Sequence, residues 1–496
     1  MLVAVLCALA LFALLVLASI QQYRHFELTL DYGLFNQAEH QLTSGQLSPY
    51  SSLFSKPYMT DHGAFLLYIL APFYWVGGSS GGFLLLILQD AALAGSVVVA
   101  ARLLLTFLNE RGATRSLTFW CLGVLLLSCL VDPWIYAVTY QDFHYEAFGT
   151  IFALLLTYDL YAGHRRRAWL WVLLVAAIGD VGGTYLVGLG AGAAITLPHR
   201  RIQGAVIATT GFLWVLFLGL VHADTGSVLN TYSYLAGTAV TSGSGAAGLL
   251  AILKGLLIHP GRAFAPVRAH LHEVLGNLIP GGVLGLFEPL VGFICIVVIV
   301  TGIISTDPVF VDAGFQNTPL YFFIPLGTVL LLSRFPWHKA AARASLQGLQ
   351  APHGLLALMS ALIVLAMLAF DLPRIHDRSY HPYHVLAATA TELGEVLNTT
   401  QPATEVVASF GIVGRFSSRP WVYAISRANY PVPIKERLIE FIFAPEAGNL
   451  ELPSADTIAA EAWVAGRLRA KLTSHSAGVD VYTWVPGKAR GTIVLP

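Results

Sequence analysis

Uncharged apolar runs, separated by short polar connectors, fill the chain as far as residue 370, and then the pattern changes. The first run, 3–20, is long enough to cross a bilayer and carries no charge. Further runs at 83–107, 117–131, 147–162, 168–179, 182–197, 204–222, 274–288, 290–305, 319–333 and 354–370 bring the expectation to about eleven spans. Several are short and need protein around them or a locally thinned membrane. From Asp371 to Pro496 charge returns, and short apolar strands alternate with helical patches. Residues 406–410, 421–425, 441–444 and 479–484 read as strands, and 456–472 as a helix with apolar positions three and four apart. The pattern thus predicts a polytopic α-helical membrane domain, 1–370, followed by a small α/β domain, 371–496, large enough for its own core.

Loop charge orients this scheme. Basic connectors at 102–115, 163–167, 198–201 and 334–343 share one side when the amino terminus is cytoplasmic. The scheme requires 64–76, about thirteen residues ending in a Gly/Ser run, to be a surface or re-entrant helix. Segments 21–82, 132–146, the neighbourhood of Asp180, 223–273, 306–318 and the tail then lie outside, with 21–82 as the first outer loop. The expected location is the plasma membrane, crossed many times, with the C-terminal domain extracytoplasmic. Residues 1–20 read as a retained anchor, because a basic segment is missing before the long apolar run.

Composition agrees with the pattern. Hydrophobic residues make up 56% and charged residues 11%, against about 25% charged in a soluble domain. Net charge is zero, and no basic stretch carries the aromatic interleaving of a nucleic-acid surface. Cys7, Cys121, Cys129 and Cys295 all sit in apolar runs, with no spacing that suggests a metal cluster or disulfide framework.

Candidate chemistry gathers on the outer side. Asp31 follows the first span on an amphipathic stretch expected along the membrane surface, a place suited to a general base acting on a lipid-linked substrate. Asp180, between two apolar runs, is either functional or a helix cap. Asp142 and His144, two apart on a loop, can share a divalent ion, so Asp142, His144 and Asp180 form a candidate metal set. Asp31, Asp142, His144 and Asp180 each fall at an outer helix end and are expected to converge on one outward-facing cavity. Arg24, Lys56, Lys254, Arg262 and Arg268 are exceptions to the positive-inside pattern and so candidates for a phosphate, or else snorkelling residues. Lys56, His62, Arg262 and Arg268 are the substrate-binding candidates. Asp90 reads as a hydrogen bond between helices, Glu288-Pro289 as a cytoplasmic turn, and Gly414 to Pro420 as a structural turn or a headgroup site.

These residues resemble a family. Asp31-Tyr32-Gly33-Leu34-Phe35-Asn36-Gln37-Ala38, the stretch His62 to Tyr74, Gln89, Asp142 to Phe148, Asp180, and Gly414 to Ile425 with Phe441 to Ala444 are similar to domain of unknown function 2079. Its plan resembles that of the GT-C glycosyltransferases, which have an acid in the first outer loop, surface helices after span one, many spans and an external tail domain. The resemblance implies Asp31 as base in the transfer of a sugar from a polyprenyl-phosphate donor to an envelope glycan, lipid or protein on the outer face. It leaves room for a divalent metal ion. Two positions depart from the family pattern: Gly179-Asp180 stands where a Glu-Asp pair is usual, and Gln316-Asn317-Thr318-Pro319 where a His-Tyr motif is usual. Two other readings stay open. One is a transporter or flippase for a lipid-linked or anionic solute using Asp90 and Asp180. The other is a catalytically silent envelope scaffold.

Overall fold

The computed structural model describes residues 1–60, 63–221, 227–237, 245–278, 281–305, 315–334, 385–425, 430–444, 454–487 and 491–496. Helices dominate the first two-thirds. α1 (Leu2–His25), α2 (Leu30–Thr43) and α3 (Leu66–Gly77) lead into the long α4 (Gly81–Glu110). α5 (Arg115–Val131), α6 (Pro133–Tyr140), α7 (Glu146–Ala162), α8 (Arg165–Ala176), α9 (Asp180–Thr196) and α10 (Arg201–Val221) follow. Then come α11 (Ser227–Ala236), α12 (Gly245–Ile258), α13 (Phe264–Leu278), α14 (Pro289–Ile303) and α15 (Thr318–Ser333).

Among the described residues, five stretches are long and apolar enough to span a bilayer: Leu2–His25, Leu66–Glu110, Arg115–Tyr140, Pro198–Val221 and Phe315–Ser333. Pro289–Ile303 is apolar but shorter. The run 354–370 and the boundary at 371 lie outside the described residues. One expected span is corrected. Residues 274–288 form no continuous helix: α13 ends at Leu278 and a 3-10 turn occupies Val283–Phe287. Gly281 and Gly282 stand outside any helix just before that turn, and glycine is a poor helix former. The 223–273 region, expected as an outer loop, carries the apolar helices α11 and α12. With 12 residues, α3 is about 18 Å long, short of a hydrocarbon core of about 30 Å.

α2 differs most from expectation. An amphipathic surface helix would show one wet face, but every residue from Tyr32 to Glu39 is buried. The helix lies between α3, the 142–145 loop and the tail, so its polar residues meet protein on every side. Asp90 on α4 accepts from Ser19 (2.8 Å) and Thr139 (3.1 Å), a bond between helices as its position suggested. Glu288 is the N-cap residue of α14 and pairs with Arg334 at 2.5 Å.

The tail holds a five-stranded mixed sheet. β1 (Tyr50–Ser51) and β2 (Lys56–Pro57) form a small hairpin in the first loop, and the tail strands follow: β3 (Glu405–Ser409), β4 (Val422–Ile425), β5 (Tyr430–Pro433), β6 (Ile439–Phe443), β7 (Lys471–Ser476), β8 (Val479–Trp484) and β9 (Thr492–Leu495). The sheet order is β4-β3-β6-β8-β7, with β3 parallel to both neighbours and β8 antiparallel to both of its own. α16 (Ala387–Thr399) and α17 (Ser454–Gly466) accompany it. β5 and β9 make a separate antiparallel ribbon. The expected helix 456–472 stops at Gly466, and its remaining residues lead into edge strand β7, whose alternation is too polar to announce a strand.

Tail and membrane domain are joined through α2. The Phe410–Phe416 3-10 turn presses Gly414 onto the chain before α2, where an added Cβ would meet the Leu28 carbonyl oxygen at 2.6 Å. Arg415 lies over the Tyr23 and Phe26 rings at 3.6 and 4.6 Å. Asn36 donates to Ser417 (2.7 Å) and Ser418 (3.0 Å), and Gln37 to the Pro420 carbonyl (2.9 Å). Ser52 bonds both backbone groups of Val422, covering the free edge of β4. The Gly414 to Pro420 motif therefore acts as a clamp between domains.

Candidate functional site

The site is built around the start of α2. Thr29 caps the helix, and its side chain accepts from the Asp31 amide. The Asp142 carboxylate accepts from the Thr29 amide (2.9 Å), the Thr29 hydroxyl and the Tyr32 amide (3.4 Å). One carboxylate from a distant loop thus satisfies orphan donors of the helix start. All three donors converge on Oδ2; Oδ1 is buried without a hydrogen bond among the described residues. Burial pushes the Asp142 pKa up to about 6, against the lowering effect of the Thr29 and Tyr32 bonds.

Gln89 fixes the loop that carries Asp142. Its amide donates to the Asp142 carbonyl (2.9 Å) and accepts from the His144 amide (2.6 Å). The His144 ring stacks on Phe315 at 3.5 Å with planes 8° apart, and its Nε2 meets the Gln141 carbonyl. Asp142 and His144 therefore hold structure, and the expected ligand set of Asp142, His144 and Asp180 does not fit a metal centre. Among the described residues, no group of three His, Cys, Asp or Glu side chains is placed to hold an ion.

The acids gather elsewhere. Asp31 is the second residue of α2, Glu146 the first of α7 and Asp180 the first of α9. Glu146, outside the apolar run it precedes, has its pKa pushed up to about 8 by burial first and then by the charges of Asp180 and Asp31. The same influence places Asp31 and Asp180 near Glu146. Each of the three helices directs its positive N-terminal end toward this neighbourhood, about half a charge apiece. Asp180 is half-buried, and its Oδ1 accepts from the Val181 amide at 2.9 Å. Gly179, just before it, has φ of 107° and ψ of −145°, a conformation closed to a residue with a Cβ. That geometry accounts for a glycine where the resemblance expects an acid.

Asp180 also lines a cavity of about 270 Å³ between α9, α11, α12 and α14. Its wall is mainly aliphatic, with Thr184, Tyr185, Gln316 and Asn317 beside Asp180. The Tyr185 hydroxyl donates to the Gln316 carbonyl at 3.0 Å. Among the bases, Arg262 donates to the carbonyl of Leu235, a cavity-lining residue, at 3.1 Å. Arg268 is exposed on α13, and Lys56 is half-buried with its ammonium 5.4 Å from the Phe54 ring centre. His62 lies outside the described residues. Two residues gain roles that sequence reasoning had not assigned. Glu146 appeared only as part of a motif. Glu39 on α2 is fully buried with neither carboxylate oxygen hydrogen-bonded among the described residues, and burial pushes its pKa up to about 9. Its place in a buried helix was the missing signal.

Residues 24–444 match the family described as a predicted membrane protein, DUF2079. No curated protein matches the chain. Among solved structures, the chain is similar to ArnT from Cupriavidus metallidurans bound to undecaprenyl phosphate, with 12% identity and a TM-score of 0.45, over 97% of this chain and 99% of that one. ArnT in the apo state gives 11% identity and a TM-score of 0.43, over 96% and 99%.

Proposed function

The chain belongs to the DUF2079 family of predicted membrane proteins, and on that premise we propose that it is a GT-C-type glycosyltransferase. It takes a sugar from a polyprenyl-phosphate carrier and passes it to an envelope acceptor at the outer face. The observation that carries this reading is the nearness of three acid-bearing helix starts, one of which brings Asp180 to a mainly aliphatic cavity. An isoprenoid chain suits the aliphatic wall, and a phosphosugar suits the end at Asp180, Tyr185 and Gln316. Three acids near a phosphate need an offset. The N-termini of α2, α7 and α9 contribute it, with Arg262 bonded to the carbonyl of the cavity-lining Leu235 as a further cation. Glu146, with its pKa pushed up to about 8, is mostly protonated at pH 7 and adds little charge.

In the reaction, the Asp31 carboxylate accepts the proton of the acceptor hydroxyl while that oxygen bonds to the anomeric carbon. The bond from anomeric carbon to phosphate oxygen breaks, and its electron pair leaves with the phosphate. The proposal includes a cytoplasmic amino terminus and an extracytoplasmic tail. A solute carrier that moves a proton through Asp90 is less well supported, since Ser19 and Thr139 hold that carboxylate between helices. The test uses purified full-length protein with a panel of undecaprenyl-phosphate sugars. Transfer to an added acceptor supports the reading. Solute flux in proteoliposomes without transfer from any donor contradicts it.

A further inference from the structure

Two basic connectors of the membrane domain are pinned together at Gly163. Its carbonyl accepts the Arg165 amide at 3.0 Å and the Arg200 guanidinium at 2.7 Å, so the turn before α8 and the Pro198–Arg200 turn before α10 meet at one oxygen. Arg165 and Arg166 open α8, and Arg201 opens α10. All three are exposed, and none has a carboxylate partner among the described residues. The acids of this end are engaged elsewhere. Asp159 holds Arg167 (3.2 Å) and His164 (2.9 Å), Glu110 accepts from Tyr161 (2.7 Å), and Glu288 pairs with Arg334. Directly along the same helices the surface turns apolar. Arg166, Leu170 and Leu173, four and three apart, share one face of α8, and both leucines are exposed. Ile202 and Val206, also four apart and exposed, follow Arg201 on α10.

We propose that this corner binds an anionic phospholipid, with its phosphates at Arg165, Arg166 and Arg201 and its acyl chains along the exposed faces of α8 and α10. The order of charge and then apolar surface is that of a lipid entering from the adjoining leaflet, the cytoplasmic one in the topology above. A soluble anion would use the arginines and leave the apolar faces bare. Exposed arginine side chains turn freely, so the fold needs only to hold the two connectors together, which the Gly163 carbonyl does. Several guanidinium groups without a carboxylate suit a headgroup with two phosphodiesters, as in cardiolipin. The proposal does not depend on the transferase reading.

Native mass spectrometry of full-length protein, purified free of lipid in a non-ionic detergent, tests it. The probes are cardiolipin, phosphatidylethanolamine and the deacylated cardiolipin headgroup. Wild type should bind cardiolipin at least about 10-fold more tightly than phosphatidylethanolamine, and high salt should remove most of that preference. Substituting Arg165→Gln, Arg166→Gln and Arg201→Gln together should weaken cardiolipin roughly 100-fold, about 5-fold for each arginine, and leave phosphatidylethanolamine unchanged. The control removes the same charge from exposed positions of the tail, through Arg437→Gln, Arg467→Gln and Lys471→Gln, and should bind as wild type does. Equal losses in the two triple variants would mean attraction to net charge alone and overturn the site. So would wild type indifferent to the choice of lipid, a result that needs no variant to fold. Binding of the deacylated headgroup as tightly as cardiolipin would overturn the lipid in favour of a soluble anion.

Discussion

The carboxylate of Asp142 accepts the backbone amide of Thr29 at 2.9 Å, joining a loop between α6 and α7 to the start of the helix that carries Asp31. The residues are 113 apart in sequence. The contact means that the 142–145 loop, α2 and, through Gln89, α4 form one rigid support for the proposed base.

Removing that support has a defined cost. Asp142→Ala leaves buried amide donors at the start of α2 without a partner and should destabilise the protein by on the order of 2 kcal/mol. The thermal midpoint in detergent reports it. Because Asp142 is a cap, a chelator added to wild type should leave the midpoint unchanged. A chelator effect as large as that of the substitution would return Asp142 to the role of metal ligand.

Glu39 predicts a dependence on pH. Its folded pKa of about 9 lies above the ordinary 4.5, so the folded protein holds a proton that the unfolded chain releases. The contribution to stability is complete below about 4.5 and is lost as pH rises through about 9. Tyr58, Tyr74 and Tyr145 share this neighbourhood and supply no compensating positive charge. Glu39→Gln should flatten the fall in thermal midpoint between pH 7 and pH 9.5. An equally steep fall in the variant would place the titration elsewhere.

The clamp between domains is testable at Arg415. Its guanidinium covers Tyr23 and Phe26, a contact worth about 0.5–2 kcal/mol. Arg415→Ala should speed proteolysis within the tail at fixed protease concentration, without unfolding the helices seen by circular dichroism. Gly414→Ala should act in the same direction, since its Cβ meets backbone at 2.6 Å. Cleavage rates equal to wild type for both would show that docking depends on other contacts.

Orientation can be read by cysteine labelling with a membrane-impermeant thiol reagent on intact cells. Arg166 and Ser476 are exposed; of the native cysteines, Cys121, Cys129 and Cys295 are buried and Cys7 is half-buried within α1. Ser476→Cys should label from outside and Arg166→Cys only after the membrane is opened. The reverse pattern would invert the topology.

The helices and strands that sequence made legible are those with strong periodicity. Runs such as 83–107 and 204–222 became α4 and α10, and four apolar stretches of the tail became β3, β4, β6 and β8. What stayed hidden depended on partners. Nothing local distinguishes the cap Asp142 from a ligand, because its three donors come from residues more than a hundred positions away. The buried state of α2 was equally invisible, because its polar Asn36, Gln37 and Glu39 read as a wet face until the tail and α3 close over them. Glu146 emerged as a site residue only once α2, α7 and α9 were seen to start in the same place.

The central claim is that Asp31 takes the acceptor's proton. Asp31→Asn changes the size of the side chain little but removes its basicity. The direct measurement is initial-rate transfer from the best undecaprenyl-phosphate sugar by wild type and Asp31→Asn, with donor affinity measured alongside. The account predicts a loss of about 10²–10⁴-fold in turnover with donor affinity and thermal midpoint preserved. Transfer by Asp31→Asn at the wild-type rate would contradict it.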